Sequence, residues 1–202
     1  MKKRPDLYTN YKSESAIFST STQKVWFVLL ILLSLIVPFY FSPYWMLLVT
    51  TSLLIAIASW GLNIVSGMAG QINLAHGVFV GIGTYTSAVI GGVATSSVIG
   101  FELDMIIWLP LSGIIAALVG IIISPVSARL KGLNLGLVTL AIVFIGSHFF
   151  SNLKFITGGA GLGRKAAKLK FLGIDLDSGL SIGSMILEKN DVIYYFSLIL
   201  CI

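Results

Sequence analysis

Five apolar stretches follow one another along this chain, at residues of about 25–41, 45–65, 78–99, 105–123 and 133–150, and none contains an Asp, Glu, Lys or Arg. A hydrocarbon core about 30 Å thick takes about 20 helical residues to cross, with about 17 as the lower limit. Buried helices of water-soluble proteins rarely reach such lengths, and five in succession do not. Charge points the same way: 10% of the residues are charged and the mean hydropathy is +0.98. A soluble domain carries about 25% charged residues. This chain lacks the polar side chains to cover a compact surface in water, so lipid must solvate much of it. The expected fold class is all-α, a polytopic transmembrane helical bundle with about five complete spans.

Residues 192–202 turn apolar again, and there the sequence stops. At a rise of 1.5 Å per residue this run covers about half a crossing. A backbone ending in mid-bilayer leaves unpaired carbonyls and a carboxylate in hydrocarbon. The expectation is an incomplete sixth span in a chain truncated at its C-terminus.

Residues 1–24 are polar, with Lys2, Lys3, Arg4, Lys12 and Lys24 against Asp6 and Glu14. The long polar lead and the 38–43 sequence PFYFSP, which has no small-x-small site, argue against a cleaved signal peptide. Lys and Arg in short loops set orientation. With the N-terminus inside, the inner segments hold the five basic residues above plus Arg129 and Lys131, and the outer short loops hold only Glu102 and Asp104. The expectation is a cytoplasmic tail at 1–24, a transmembrane domain at 25–202 and an external segment at 151–191. That segment alternates around Leu169-Lys170-Phe171 and Ile174-Asp175-Leu176-Asp177, which suggests a short hairpin. The net charge of +5 is not gathered into a stripe, so nucleic-acid binding is a poor reading.

The stretch from 66 to 88, SGMAGQINLAHGVFVGIGTYTSA, carries the most information. Gly67, Gly70, Gly77, Gly81 and Gly83 recur among apolar residues, with Gln71, Asn73 and His76 between them. Glycines let a backbone bend or another helix approach, and polar amides in lipid need partners. Two readings stand: a broken helix lining a translocation path, or tight helix packing with Gly77-x-x-x-Gly81 as its seam. The candidate residues for either are Gly67, Gly70, Gln71, Asn73, His76, Gly77, Gly81 and Tyr85, joined by Asn134 and Thr139 from the fifth apolar stretch.

Other chemistry is missing from the sequence. His76 and His148 are the only histidines and have no acidic or Cys neighbours, so no metal site is expected. Cys201 is alone. The run Gly158-Gly159-Ala160-Gly161-Leu162-Gly163-Arg164-Lys165 imitates a P-loop, but it lacks the Lys-Ser/Thr ending and follows no strand, so it reads as a turn. No nucleophile–base pair or intramembrane carboxylate pair is present, and no catalytic residue is expected. Ion-coupled carriers often rely on intramembrane charge, and none is found in the five stretches.

In this light residues 66–88 resemble the "G-x-x-G-Q-x-S-L-G-H-x-x-F-x-G-x-G-A-Y" stretch of binding-protein-dependent permeases for branched-chain amino acids. Gly67, Gly70, Gln71, Leu74, His76, Phe79, Gly81, Gly83 and Tyr85 occupy that pattern; Asn73, Ala75 and Thr84 depart from its Ser, Gly and Ala. Residues 129–163, RLKGLNLGLVTLAIVFIGSHFFSNLKFITGGAGLG, resemble the "R-L-R-G-x-Y-L-A-I-V-T-L" and "T-G-G-x-x-G-L" runs of the LivM-type subunit. Phe144 stands near where that family often has an acidic residue. The resemblance implies one permease subunit of an ATP-driven (ABC) importer in a bacterial plasma (inner) membrane. It also implies a second permease subunit, cytoplasmic ATPase subunits and an external solute-binding protein as partners. ATP would be used by the partner subunits, with no cofactor in this chain. The alternatives are an ion-coupled carrier, a passive channel for small polar solutes, or a non-functional truncated permease.

Overall fold

The computed structural model describes residues 21–130, 132–159, 163–171, 173–176, 180–182 and 185–201; most of the expected cytoplasmic tail lies outside them. The chain divides into two compact units, Met1–Leu47 and Leu48–Ile202.

In the first unit, helix α1 is Ser21–Tyr40. It has no buried residue and is apolar all round, which suits a helix solvated by lipid. Helix α2, Pro43–Asn63, starts on a proline, where the missing amide costs nothing, and belongs to the second unit from Leu48 onward. It runs on as a π-helical turn, Ile64–Met68.

The second unit is built around α3, His76–Gly91, which packs against α4, Met105–Arg129, and α5, Leu133–Asn152. A one-turn helix α6, Lys154–Thr157, follows and ends on Gly158 at φ 83°. Two separate antiparallel hairpins come next: β1, Lys170–Phe171, with β2, Ile174–Asp175; and β3, Leu180–Ile182, with β4, Met185–Leu187. The first sits where the alternation placed a hairpin, and the second was not foreseen. Helix α7, Lys189–Cys201, closes the described chain. Its first turn is fixed by Asp191, whose carboxylate accepts from the Glu188 amide at 3.1 Å.

Among the described residues, four helices are long and apolar enough to cross a membrane: Ser21–Tyr40, Pro43–Met68, Met105–Arg129 and Leu133–Asn152. The chain is therefore an all-α, polytopic membrane protein, the two small hairpins aside. The stretch expected to span at 78–99 forms a shorter helix. At 16 residues α3 is about 24 Å long. It stops at Gly91-Gly92, and the chain turns back on itself, so that the amides of Phe101, Leu103 and Glu102 reach the carbonyls of Val89, Ile90 and Gly92 at 3.0, 2.9 and 3.1 Å. The returning segment thus pairs carbonyls that a helix end leaves open. Helix α4 errs the other way and continues through Ser124-Pro125 to Arg129, well past residue 123. A proline removes one amide donor, which membrane helices tolerate, and Arg129 is favourable at the negative end of a helix.

Helix α3 comes close to its neighbours at glycines. A Cβ on Gly146 of α5 would stand 2.6 Å from Val78 Cγ1, and one on Gly81 would stand 2.8 Å from Phe150 Cε2. Gly91 faces the Trp108 indole, part of a cluster of Ile90, Met105 and Trp108 with Ala167, Leu169 and Phe196 around it. Gly77 has no atom within 4 Å of such a Cβ. Of the pair in the Gly77-x-x-x-Gly81 spacing only Gly81 lies at a close contact, and the tight approaches of α3 run through Gly81, Gly91 and Gly146. Gly146→Ala should cost about 1–3 kcal/mol by overfilling against the stiff, β-branched Val78, while Gly77→Ala costs nothing. Thermal unfolding of the two variants in detergent checks this; equal stability would remove the assigned seam.

Candidate translocation site

The site begins with the interruption between α2 and α3. The π turn lets the amides of Ala69 and Gln71 reach the carbonyls of Ile64 and Val65 at 3.1 and 3.2 Å. Gly70 then takes φ +63°, a left-handed conformation that stops the helix. The Asn63 side-chain amide lies over Gly67, and a side chain there would have to displace it. Residues 71–75 run without helical pairing until α3 starts at His76.

Freed backbone amides in this break find side chains. The Leu74 amide donates to Thr139 Oγ1 at 3.2 Å, and that hydroxyl in turn donates to the Gly136 carbonyl at 2.9 Å. A hydroxyl does both at once because it carries one donor and two lone pairs. The Ala75 amide donates to Asn73 Oδ1 at 3.0 Å, a local turn of the kind Asn favours. Thr139 is 5% exposed, so its two bonds tie α5 to the break inside the protein.

A cavity of about 410 Å³ opens beside this break, between α3, α4 and α5. Its polar lining is Gln71, Asn73, His76 and Thr139, with Ser124 and Ser127 from α4. Its apolar lining includes Ile72, Phe79, Ile123 and Ile142. That size falls within the range of about 300–1,000 Å³ usual for small-molecule sites. His76 Nε2 is buried without a hydrogen-bond partner among the described residues, and a ligand or an ordered water satisfies such a group. None of these side chains is an acid, a Lys or an Arg, and no described group of three His, Cys, Asp or Glu is placed to hold a metal. The arrangement suits recognition of a small polar group by hydrogen-bond donors and acceptors.

Four of the ten residues singled out in the sequence thus meet in one cavity, with Gly67 and Gly70 shaping the break beside it. Gly77 and Tyr85 border a different cavity, of about 630 Å³, where Tyr85 packs on Phe150 at a ring separation of 5.0 Å. Gly81 packs against Phe150, and Asn134 is exposed in the first turn of α5, away from the polar cavity.

Sequence reasoning missed Ser124 and Ser127, because the fourth span was ended at residue 123. It also missed Arg164. The Arg164 guanidinium donates to the carbonyls of Ile156, Ala88 and Ile99 at 2.6, 2.5 and 2.8 Å. It thereby fastens the end of α3, the returning segment and α6 together. Burial pushes its pKa down from the ordinary arginine value, a cost that the three carbonyls offset. Its one signal in the sequence was a basic pair closing a glycine-rich turn.

Long apolar helices charged only near their ends, at Lys24 and Arg129, and a broken helix beside a polar cavity, define an integral membrane protein of the polytopic helical class. Residues 44–201 match the family described as branched-chain amino acid transport system / permease component, and the chain belongs to that family. It is similar to the high-affinity branched-chain amino acid transport system permease protein LivM of Escherichia coli (strain K12). That relative is 33% identical over 141 residues, which make up 70% of this chain and 32% of the relative. The protein of the same description from Salmonella typhimurium (strain LT2) is 31% identical over 141 residues, with the same shares. The chain spans about a third of the length of the curated relatives it matches. No solved structure matches.

Arg164→Met should leave three carbonyls unpaired and lower stability by about 2–3 kcal/mol, with Arg164→Lys losing less. Thermal unfolding in detergent reads the difference; a Met variant as stable as the parent would refute the fastening role.

Proposed function

We propose that this chain is the membrane-spanning permease subunit of an ATP-driven importer for branched-chain amino acids. The family match over residues 44–201 carries this reading, and the names of the two curated relatives agree with it. A second permease subunit, cytoplasmic ATPase subunits and an external solute-binding protein complete the importer. ATP is consumed on the partners, whose binding and hydrolysis steps bias this subunit between inward- and outward-facing states. Its place is the bacterial plasma membrane, with the N-terminus in the cytoplasm. Helix α3 serves as a fifth span, shorter than the hydrocarbon core by about 6 Å, a mismatch a bilayer takes up by thinning. The apolar part of α7 belongs to a sixth.

The solute passes the break between α2 and α3. Gln71, Asn73, His76 and Thr139 meet its polar groups, while Gly67 and Gly70 permit the break. Discontinuous membrane helices that expose backbone groups at a cavity are a common transporter device. The crossing helices from α2 to α5 hold no Asp, Glu, Lys or Arg before Arg129 at the end of α4, which speaks against the acid- or lysine-based coupling that ion-driven carriers often use.

The test is uptake of radiolabelled leucine into vesicles carrying this subunit with its ATPase and binding protein. Uptake should require ATP and survive collapse of the proton gradient. A thiol at position 102 should label from the side that receives the binding protein, and one at position 130 should not. Uptake without ATPase subunits would favour a carrier or channel and overturn the importer reading.

A further inference from the structure

The polar cavity shares two of its lining residues with a neighbouring one. A second cavity, of about 590 Å³, lies between the same three helices, α3, α4 and α5, and its lining is almost wholly aliphatic and aromatic. Ile123 of α4 and Ile142 of α5 line both cavities. Each is half-buried. Two β-branched side chains therefore stand where the chamber with amides, imidazole and hydroxyls gives way to one without them. Because Ile is stiff at χ1, such a pair presents a wall of fixed shape.

We propose that Ile123 and Ile142 form the specificity-determining constriction of this subunit and grip the aliphatic side chain of the solute. Its polar head lies among Gln71, Asn73, His76 and Thr139. This rests on the importer reading above. A solute with a polar head and a short branched tail matches the junction on both sides: the head satisfies neutral donors and acceptors, and the tail leaves water for the isoleucine wall. A solute polar throughout would find no partners at the isoleucines, and one apolar throughout would leave the amides and the imidazole unpaired. One methylene more or less in such a pocket changes discrimination by about tenfold or more.

The experiment compares leucine and valine uptake by the full complex in ATP-loaded vesicles, each ratio normalised to that of the parent complex, so that the binding protein's own preference cancels. Ile142→Ala and Ile123→Ala widen the constriction and should raise the leucine-to-valine ratio by about tenfold. Ile145→Ala, which lines only the apolar cavity, should leave it unchanged. Should the alanine variants fail to assemble, Ile142→Val and Ile123→Val remove one methylene each and should move the ratio the same way by a smaller factor. A ratio that stays at the parent value in the assembled variants, even with slower uptake, overturns the inference. A parent complex that takes up neither amino acid refutes the importer reading instead.

Discussion

Backbone hydrogen bonding is the constraint on which the second unit depends. In hydrocarbon no water pairs an open amide or carbonyl, and each one left alone costs several kcal/mol. Helix α3 is interrupted at both ends, and at both ends the chain supplies partners. At its start, Thr139 and Asn73 take the amides of Leu74 and Ala75. At its end, the segment around 99–103 pairs with Val89, Ile90 and Gly92, and Arg164 takes the carbonyls of Ala88 and Ile99. A short helix fixed at both ends, with glycines at its closest contacts, becomes the rigid piece around which α4 and α5 are arranged.

The cavity follows from that arrangement. Because the break is held by side chains from α5 and from itself, polar groups can stand at a position where an unbroken helix would present apolar ones. None of them is an Asp, Glu, Lys or Arg. The proposed function places ATP hydrolysis on partner subunits. The specificity proposed for Ile123 and Ile142 uses the other half of the same geometry, the two isoleucines that line both the polar cavity and the apolar one.

Much of this was legible in the sequence where length and composition decide. The runs at 25–41, 45–65 and 133–150 lie in helices long and apolar enough to cross because their apolar windows reach the needed length, with Pro38 falling only in the last turn of α1. Gln71, Asn73 and His76 stood out because amides and an imidazole among glycines are costly in lipid. Element ends were less legible. The fourth apolar stretch was ended at residue 123, yet α4 runs on through Pro125 to Arg129, and 78–99 looked continuous, yet Gly91-Gly92 ended it once a returning segment could pair the carbonyls. The spacing of Gly77 and Gly81 gives a shared helix face without saying what lies opposite. Only Gly81 meets a neighbour, and Gly146, the glycine that faces Val78, lies 68 residues further on. Arg164 was hidden for a similar reason: its acceptors at Ala88 and Ile99 are 76 and 65 residues away.

The claim that Thr139 holds the helix break beside the polar cavity is tested most directly by hydrogen exchange over residues 70–78 in the Thr139→Val variant. Valine keeps the shape and removes the acceptor for the Leu74 amide. The structure predicts faster exchange at Leu74 and its neighbours, with exchange in the middle of α5 unchanged. An exchange profile identical to the parent's across 70–78 would contradict it, and the break would have to be held by something other than that hydroxyl.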